Sequence, residues 1–441
     1  LQAFLRAQYP TFGIREVLTP IIYKKCIWEQ SGHWTNYKSD MFTVTGGDPQ
    51  ASQDRGMLRD EDARDDDEYG LKPMNCPGHC LLFQSQKRSY KELPIRYADF
   101  SPLHRNEISG SLSGLTRLRR FHQDDGHIFC RPMQVGQEIE STLDFIRCVY
   151  ETFDLGSYKL VLSTRPEAQF IGTLSEWERA EAQLKIALEK SGRTFEIHDG
   201  DGAFYGPKID VILTDGDGKE HQTATIQLDF QLPRRFGLEY HCHAPEQEAS
   251  GISTTDPNLL AKTGTVAPVI IHRAVLGSLE RFMALLIERY RGHWPFWLSP
   301  RQMVILTVHS NPKLDEYAQT LAAELHAPGT RQRLRKLDAP TFAVDSDTSR
   351  RSIAKKVWTA KLKRYNIICV IGERNMQEDT LDLTFWGRPD LKTRWNIIES
   401  IKGGSHAQLQ EMTPADATQN TVTLTREECT NLMRRLCDEY L

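Results

Sequence analysis

The sequence predicts two domains of different class, an α+β domain over residues 1–298 and a smaller α/β domain over 299–441. Three observations predict this. Ile209 to Leu213 and Thr223 to Phe230 alternate apolar and polar residues around Asp215-Gly216-Asp217-Gly218, the signature of an antiparallel hairpin. From Val304 onward strand-like and helix-like segments alternate, the pattern of a largely parallel sheet with crossover helices. Between the two lies Trp294-Pro295-Phe296-Trp297-Leu298-Ser299-Pro300, a proline-punctuated boundary. At 441 residues the chain exceeds one ordinary domain.

Taken in order, residues 1–40 read as a helix, a strand from Ile14 to Leu18 stopped by Pro20, and a helix from Ile22 to Ser31. Residues 46–69 begin with Gly46-Gly47-Asp48-Pro49 and are almost wholly acidic from Asp60 to Glu68. Like charge with few apolar residues cannot pack, so a surface loop is expected there. A helix follows from Gln134 to Phe153, then a strand from Tyr158 to Ser163. Leu174, Trp177, Leu184, Ala187 and Leu188 have helical spacing and place a helix over 174–190, ended by Gly192. Residues 241–266 read as a polar loop, Val269 to Ile271 as a buried strand, and Gly277 opens a helix to about Arg291. In the second domain, strands are expected at Val304–Val308, Thr341–Val344 and Ile367–Ile371, with helices at Leu314–Leu325 and Ile353–Leu362. A last helix starts at Thr425, with Glu428 completing a capping box.

Composition bounds the function. Apolar residues at 39% and charged residues at 26% are ordinary for a globular protein. A net charge of −4 supplies no global basic footprint, so any nucleic acid is held by a local patch. No apolar run is long enough to cross a membrane, and no membrane association is expected. Nine dispersed cysteines without CxxC pairs indicate free thiols in a reducing compartment. The chain starts at Leu1, which points to a processed or trimmed N-terminus.

The densest chemistry lies between His104 and His127. His104-Arg105-Asn106-Glu107, then Arg117-Leu118-Arg119-Arg120-Phe121, then Gln123-Asp124-Asp125-Gly126-His127 bring cations, a ring, carboxylates and a metal-ligand type into one hairpin-sized segment. Arginine matches phosphate oxygens two at a time, and Phe121 can stack on a purine. A solvated charged hairpin carries the same residues, so the rest of the chain has to decide.

It does so through Met74-Asn75-Cys76-Pro77-Gly78-His79, Gly202-Ala203-Phe204-Tyr205-Gly206-Pro207-Lys208, and His272-Arg273-Ala274 running to Gly277-Ser278-Leu279-Glu280-Arg281. Together with the hairpin these resemble the threonyl-tRNA synthetases, a family of class II aminoacyl-tRNA synthetases. Among them the fungal mitochondrial form without an N-terminal editing domain is most similar. The likeness covers residues 1–300 closely and 301–441 loosely. It implies a class II antiparallel sheet with flanking helices, an α/β anticodon-binding domain, a homodimer, and ATP-dependent charging of tRNA(Thr) with L-threonine. The compartment implied is the mitochondrial matrix, with the cytoplasm as alternative.

The resemblance also assigns roles. The strand ending in Pro20 belongs at the dimer interface. Arg105 bridges the ATP α-phosphate and the amino-acid carboxylate, Glu107 holds the adenine amino group, Phe121 stacks on the base and Arg117 reaches the γ-phosphate. Ser278 lies at a helix N-terminus beside the ligand, and Arg281 lies over the adenine or γ-phosphate. Mg²⁺ accompanies ATP. Cys76, His127 and His272 hold one Zn²⁺, a donor set that suits that ion although no sequence spacing announces it. Asp125, Gln123, Tyr205 and Gln227 complete the threonine pocket, Lys208 contacts substrate or phosphate, and His33 lies near the terminal ribose of tRNA. His79 and Cys80 receive no ligand role, Cys130 is read as packing, and His241-Cys242-His243 is not read as a second metal site. In the C-terminal domain Lys355, Lys356, Lys361, Lys363 and Arg364 form a basic patch suited to phosphates. Phe385 and Trp386 stand where the family often has arginines, and either stack on bases or pack. Two rivals stay open: a non-catalytic paralogue, and a related synthetase for another amino acid, which would lack the Cys76/His127/His272 set.

Overall fold

A computed structural model describes residues 1–45, 68–167, 170–203, 205–216, 218–328, 339–386, 391–402 and 421–441. The acidic segment expected to loop over 46–69 lies outside the described residues except for its end, where Glu68 already begins a strand. Phe204 and Asp217 also lie outside them. The chain divides into two compact units, Leu1–Arg289 and Tyr290–Leu441. The proline-punctuated segment belongs to the second unit. Phe296 is fully buried in that unit's core, and Asn366 donates to the Trp294 carbonyl at 2.8 Å.

The first unit is built on an eight-stranded sheet. Its order is Arg15–Glu16, Ile95–Asp99, Asp125–Cys130, Val269–Ala274, Glu220–Asp229, Lys208–Thr214, Lys159–Ser163, Phe195–His198. The central pairings are antiparallel, including the hairpin joining Lys208–Thr214 to Glu220–Asp229, and the two outermost are parallel. Val269–Ala274 is buried at every position, as a strand covered on both faces must be. One face is covered by the helix Val135–Thr152, which turns Val135, Ile139, Phe145, Ile146 and Val149 inward and donates from the Tyr150 hydroxyl to Thr223 at 2.7 Å. The helix Leu174–Lys190 has the bounds its periodicity predicts, with Thr173 and Glu176 closing a capping box.

Two local expectations fail. Ile22 to Ser31 is a strand, Ile22–Lys24, followed by the helix Lys25–Ser31. The strand pairs with Glu68–Leu71, and Tyr23 alone of its residues turns into a small core with Trp28, Trp34 and Met41. The polar loop over 241–266 is ordered: Tyr240–His243 and Thr263–Val266 form an antiparallel pair, with short helices Pro245–Ala249 and Pro257–Leu260 between them. Tyr240 and Cys242 point inward while His241 and His243 point out, so the polar residues that suggested a loop are one face of a strand. The same alternation separates Cys242 from both histidines.

The second unit has a five-stranded sheet ordered Val344–Asp347, Met303–Thr307, Ile367–Ile371, Thr380–Phe385, Thr421–Thr425. The first three strands are parallel and the last two antiparallel, so the sheet is mixed. Helices Pro312–His326 and Ile353–Leu362 match the alternation read from sequence. The strand expected at Thr341–Val344 starts where it was expected to end. Phe342 and Ala343 are tied first by backbone bonds to the His326 carbonyl and the Gln302 side chain. The final helix, Arg426–Asp438, carries the Thr425–Glu428 capping box.

Lys356 does not belong to the basic patch. It is fully buried, and its ammonium donates to the Thr307 carbonyl and hydroxyl and the Asp347 carbonyl at 2.9–3.1 Å. Phe385 is part of the core, whereas Lys361 rests on the Trp386 ring at 4.6 Å.

Candidate active site

The site is a consequence of sheet register. Lys208, Gln227, His272, His127 and Tyr97 are successive cross-strand partners across five adjacent strands. Directly paired residues share a face, so these side chains form one row on the side of the sheet away from Arg273 and Asp124. Asp125 lies two residues before His127 and shares that face.

Cys76 enters from the first turn of the helix Cys76–Gln84. Its sulfur and one ring nitrogen each of His127 and His272 lie within 4.8 Å of one another, and all three residues are buried. The two nitrogens facing each other are His127 Nε2 and His272 Nδ1, 2.9 Å apart. The far nitrogen of His272 is held by the Asp229 carboxylate at 2.9 Å, and that of His127 by His79 at 2.7 Å. One soft sulfur and two imidazoles, each oriented from behind, fit a zinc ion with an open position. Burial pushes the Cys76 thiol well up, with Asp125 and Cys80 adding to it, and holds the His127 imidazole well below its usual value. A cation among the three side chains would bring the Cys76 thiol down, and His127 already stands in the neutral form that a metal ligand needs.

Three of the four residues assigned to threonine, Asp125, Tyr205 and Gln227, lie around this set. The Tyr205 hydroxyl donates to Gln227 Oε1 at 2.9 Å, and its ring lies 5.7 Å from that of His272. Asp125 accepts from the Asn75 side chain at 3.0 Å and the Asn75 backbone at 3.3 Å. Gln123, the fourth, is instead tied through its backbone to Ser278. His33 lines the same cleft as Cys76, Tyr205, Asp229 and His272. Its Nδ1 is 2.7 Å from the Ser31 hydroxyl, and burial, then His272, brings its pKa down to about 4. Lys208 pairs with Asp210 at 2.9 Å.

The residues assigned to the nucleotide form a second cluster. The Arg105 guanidinium lies over the Phe121 ring, 5.1 Å from its centroid. Glu107 is paired with Arg117 at 2.8 Å, so the two satisfy each other. Arg281 donates to the carbonyls of Thr116 and Gln222 at 3.1 and 3.3 Å. Burial, with Arg105 and Arg117 nearby, lowers its pKa, the setting of an electropositive anion site. The Ser278 hydroxyl accepts from the Arg281 amide at 3.2 Å and so caps the helix Leu279–Tyr290.

Three residues escaped the sequence: Asp229 and His79 behind the histidines, and Asn75 on Asp125. Asp229 follows Gln227 by two in a strand and so had a period-2 signal. The other two depend on which helix docks against the sheet. Cys80 packs against Phe83 and Phe129, and Cys130 is fully buried.

Comparison with known proteins agrees with this arrangement. Residues 59–255 match the tRNA synthetase class II core domain (G, H, P, S and T), and residues 302–387 match an anticodon binding domain. The chain is 50% identical over 382 residues to a probable mitochondrial threonine–tRNA ligase of Schizosaccharomyces pombe, covering 86% of this chain and 76% of that protein. It is 44% identical over 415 residues to the cytoplasmic threonine–tRNA ligase 1 of Rattus norvegicus, covering 93% of this chain and 51% of that one. It thus spans three quarters of the yeast relative and about half of the rat one. Among solved structures, the RNA binding domain of threonyl-tRNA synthetase from Cryptosporidium parvum superposes with a TM-score of 0.76 at 38% identity, covering 99% of this chain and 89% of that one. A putative threonyl-tRNA synthetase from Aeropyrum pernix gives 0.70 at 27%, covering 99% and 84%. With a class II core, an anticodon-binding unit and a Cys/His/His set on one face of the sheet, the chain belongs to the threonyl-tRNA synthetases, the class II threonine–tRNA ligases.

Proposed function

We propose that Cys76, His127 and His272 hold one Zn²⁺ through which this ligase selects L-threonine, and that the residues around it carry the roles their positions suit. The observation behind this is the convergence of the three ligand atoms within 4.8 Å on the sheet face that also carries Asp125 and Gln227. Bound there, zinc would supply open coordination positions, one for the amino group and one for the hydroxyl of threonine. Asp125 accepts a hydrogen bond from that hydroxyl, while Gln227 and Tyr205 close the pocket. Valine, with the same shape and no hydroxyl, leaves Asp125 with the Asn75 donors alone, a difference that an apolar pocket could not exploit.

Arg105 then holds the threonine carboxylate against the ATP α-phosphate. The carboxylate is already ionised and attacks phosphorus in line as pyrophosphate leaves, so no general base is needed. Positioning and charge neutralisation carry the rate. Glu107 and Arg117 exchange each other for the adenine amino group and the γ-phosphate. Phe121 stacks on the base, Arg281 and the Ser278 helix start lie against the nucleotide, and Mg²⁺ accompanies the phosphates. Lys208 contacts substrate or phosphate beside Gln227. His33, kept neutral in the same cleft, assists transfer at the terminal ribose of tRNA(Thr).

Lys355, Lys361, Lys363 and Arg364 of the second unit meet tRNA phosphates. The chain acts as a homodimer. Leu18 and Ile22, 85% and 47% exposed on either side of Pro20, are the apolar surface a partner subunit covers. The mitochondrial matrix is the proposed compartment, on the strength of the yeast relative. The test is amino-acid-dependent pyrophosphate exchange: strong with threonine, weak with serine and near background with valine. Equal exchange with valine would refute selection through the hydroxyl.

A further inference from the structure

His79 lies behind the metal-ligand set and takes no part in it. It is one turn beyond Cys76 on the helix Cys76–Gln84, so the two side chains share a face. Its ring is fully buried, and its Nδ1 is 2.7 Å from His127 Nδ1, with the rings nearly perpendicular at 83°. That nitrogen is on the opposite edge of the His127 ring from the one facing His272, so His79 stands behind His127 and not among the ligand atoms.

Two facing Nδ1 atoms can share one proton only if one donates and the other accepts. His127 must keep the lone pair on Nε2, the atom that looks toward His272. Its proton therefore belongs on Nδ1, given to His79. The His79 proton is then on Nε2, which faces Asp99 Oδ2 at 3.8 Å and has no closer hydrogen-bond partner among the described residues. Asp99 is fixed in turn. It accepts from the Thr19 amide and hydroxyl at 3.0 and 2.6 Å and from the Ser101 amide at 2.7 Å, and the buried Lys72 ammonium lies 3.7 Å away. The set is asymmetric: His272 is backed directly by the Asp229 carboxylate, while His127 is backed by a second imidazole whose far edge faces the Asp99 carboxylate beyond hydrogen-bond reach.

We propose that His79 is a positioning residue, which sets the tautomer and orientation of His127 and thereby the strength of zinc binding. This rests on Cys76, His127 and His272 being a zinc site.

The test compares zinc affinity, by chelator competition on the whole chain, in wild type, His79→Leu and His79→Asn. Leucine removes the acceptor, whereas the asparagine carbonyl can stand where Nδ1 stood. Loss of such a backing group weakens metal binding about 10–100-fold, so His79→Leu is expected in that range, with His79→Asn recovering most of it. In cobalt-substituted protein the visible bands shift in His79→Leu and return in His79→Asn. Unchanged affinity and bands in His79→Leu overturn the proposal, as does His79→Asn behaving like His79→Leu. If His79→Leu does not fold, nitrogen-15 spectra of zinc-loaded wild type decide: a proton on His79 Nδ1 overturns the assignment, and one on His127 Nδ1 supports it. If wild type binds no zinc, the metal reading fails and takes this one with it. If wild type binds zinc and His79→Leu binds it equally, the role of His79 alone is refuted.

Discussion

His127 and His272 are register partners on adjacent antiparallel strands, with Nε2 of one 2.9 Å from Nδ1 of the other. A slip of one residue in that pairing turns one histidine to the opposite face of the sheet and abolishes the site. Metal binding therefore tests the register itself. Asp229→Asn, which takes the charge from behind His272, should weaken zinc binding about 10–100-fold while the fold persists. Cys76→Ala should lose stoichiometric zinc and threonine activation together. Full activity in zinc-free Cys76→Ala protein would overturn the assignment.

Arg105→Ala should reduce adenylate formation by about 10²–10³-fold, the usual cost of one preorganised donor at a developing charge. The Phe121 ring then loses the cation above it, and ATP affinity weakens as well. Affinity for tRNA should change little. Near-normal pyrophosphate exchange in this variant would place the bridging role elsewhere.

Serine keeps the hydroxyl whose recognition is proposed for Asp125 and the metal set, and lacks one methyl. Binding alone separates such a pair by about 10–200-fold. This chain should accordingly activate serine measurably and form some seryl-tRNA, with valine near background. Serine exchange as low as valine exchange would show that the pocket reads the methyl more strongly than its residues suggest.

A chain ending at Arg289 contains every residue assigned to activation and none of the second unit. Threonine-dependent pyrophosphate exchange should survive in it, while charging of tRNA(Thr) falls by at least about 10²-fold as phosphate contacts are lost. Equal loss of both activities in folded protein would deny the second unit a distinct role in holding tRNA.

The Glu248 carboxylate is bound by Arg131 through two contacts of 2.6 Å and by the Tyr240 hydroxyl at 2.6 Å. Burial pushes its pKa up, but these bonds outweigh it and hold the group below its ordinary value. The unfolded chain therefore takes up that proton at higher pH. The stabilisation is complete above about pH 4.5 and is lost as pH falls through the folded value. Glu248→Gln should cost about 1–3 kcal/mol at neutral pH, since Arg131 is partly open to solvent. Denaturant midpoints at pH 7 and pH 3 check this, and the deficit should shrink in acid.

Elements whose sequence period matched their exposure were legible without coordinates. Leu174–Lys190, Ile353–Leu362 and Ile367–Ile371 have the bounds read from spacing, and Thr425 announced its helix by its capping partner. The strand Tyr240–His243 was hidden because its outward face is two histidines, and Lys356 looked like surface charge because burying an ammonium against carbonyls leaves no trace in composition. The sequence by itself determined the two-domain order, the residue types at the site and, through resemblance, the family. Only tertiary structure decided that residues 145 apart in the chain, His127 and His272, meet on one face, that Asp229 and His79 back them, and that Cys76 reaches them from a helix. Local periodicity fixes which way a side chain points within its own element, whereas strand register and helix docking are set by long-range pairing, to which no single stretch of sequence is sensitive.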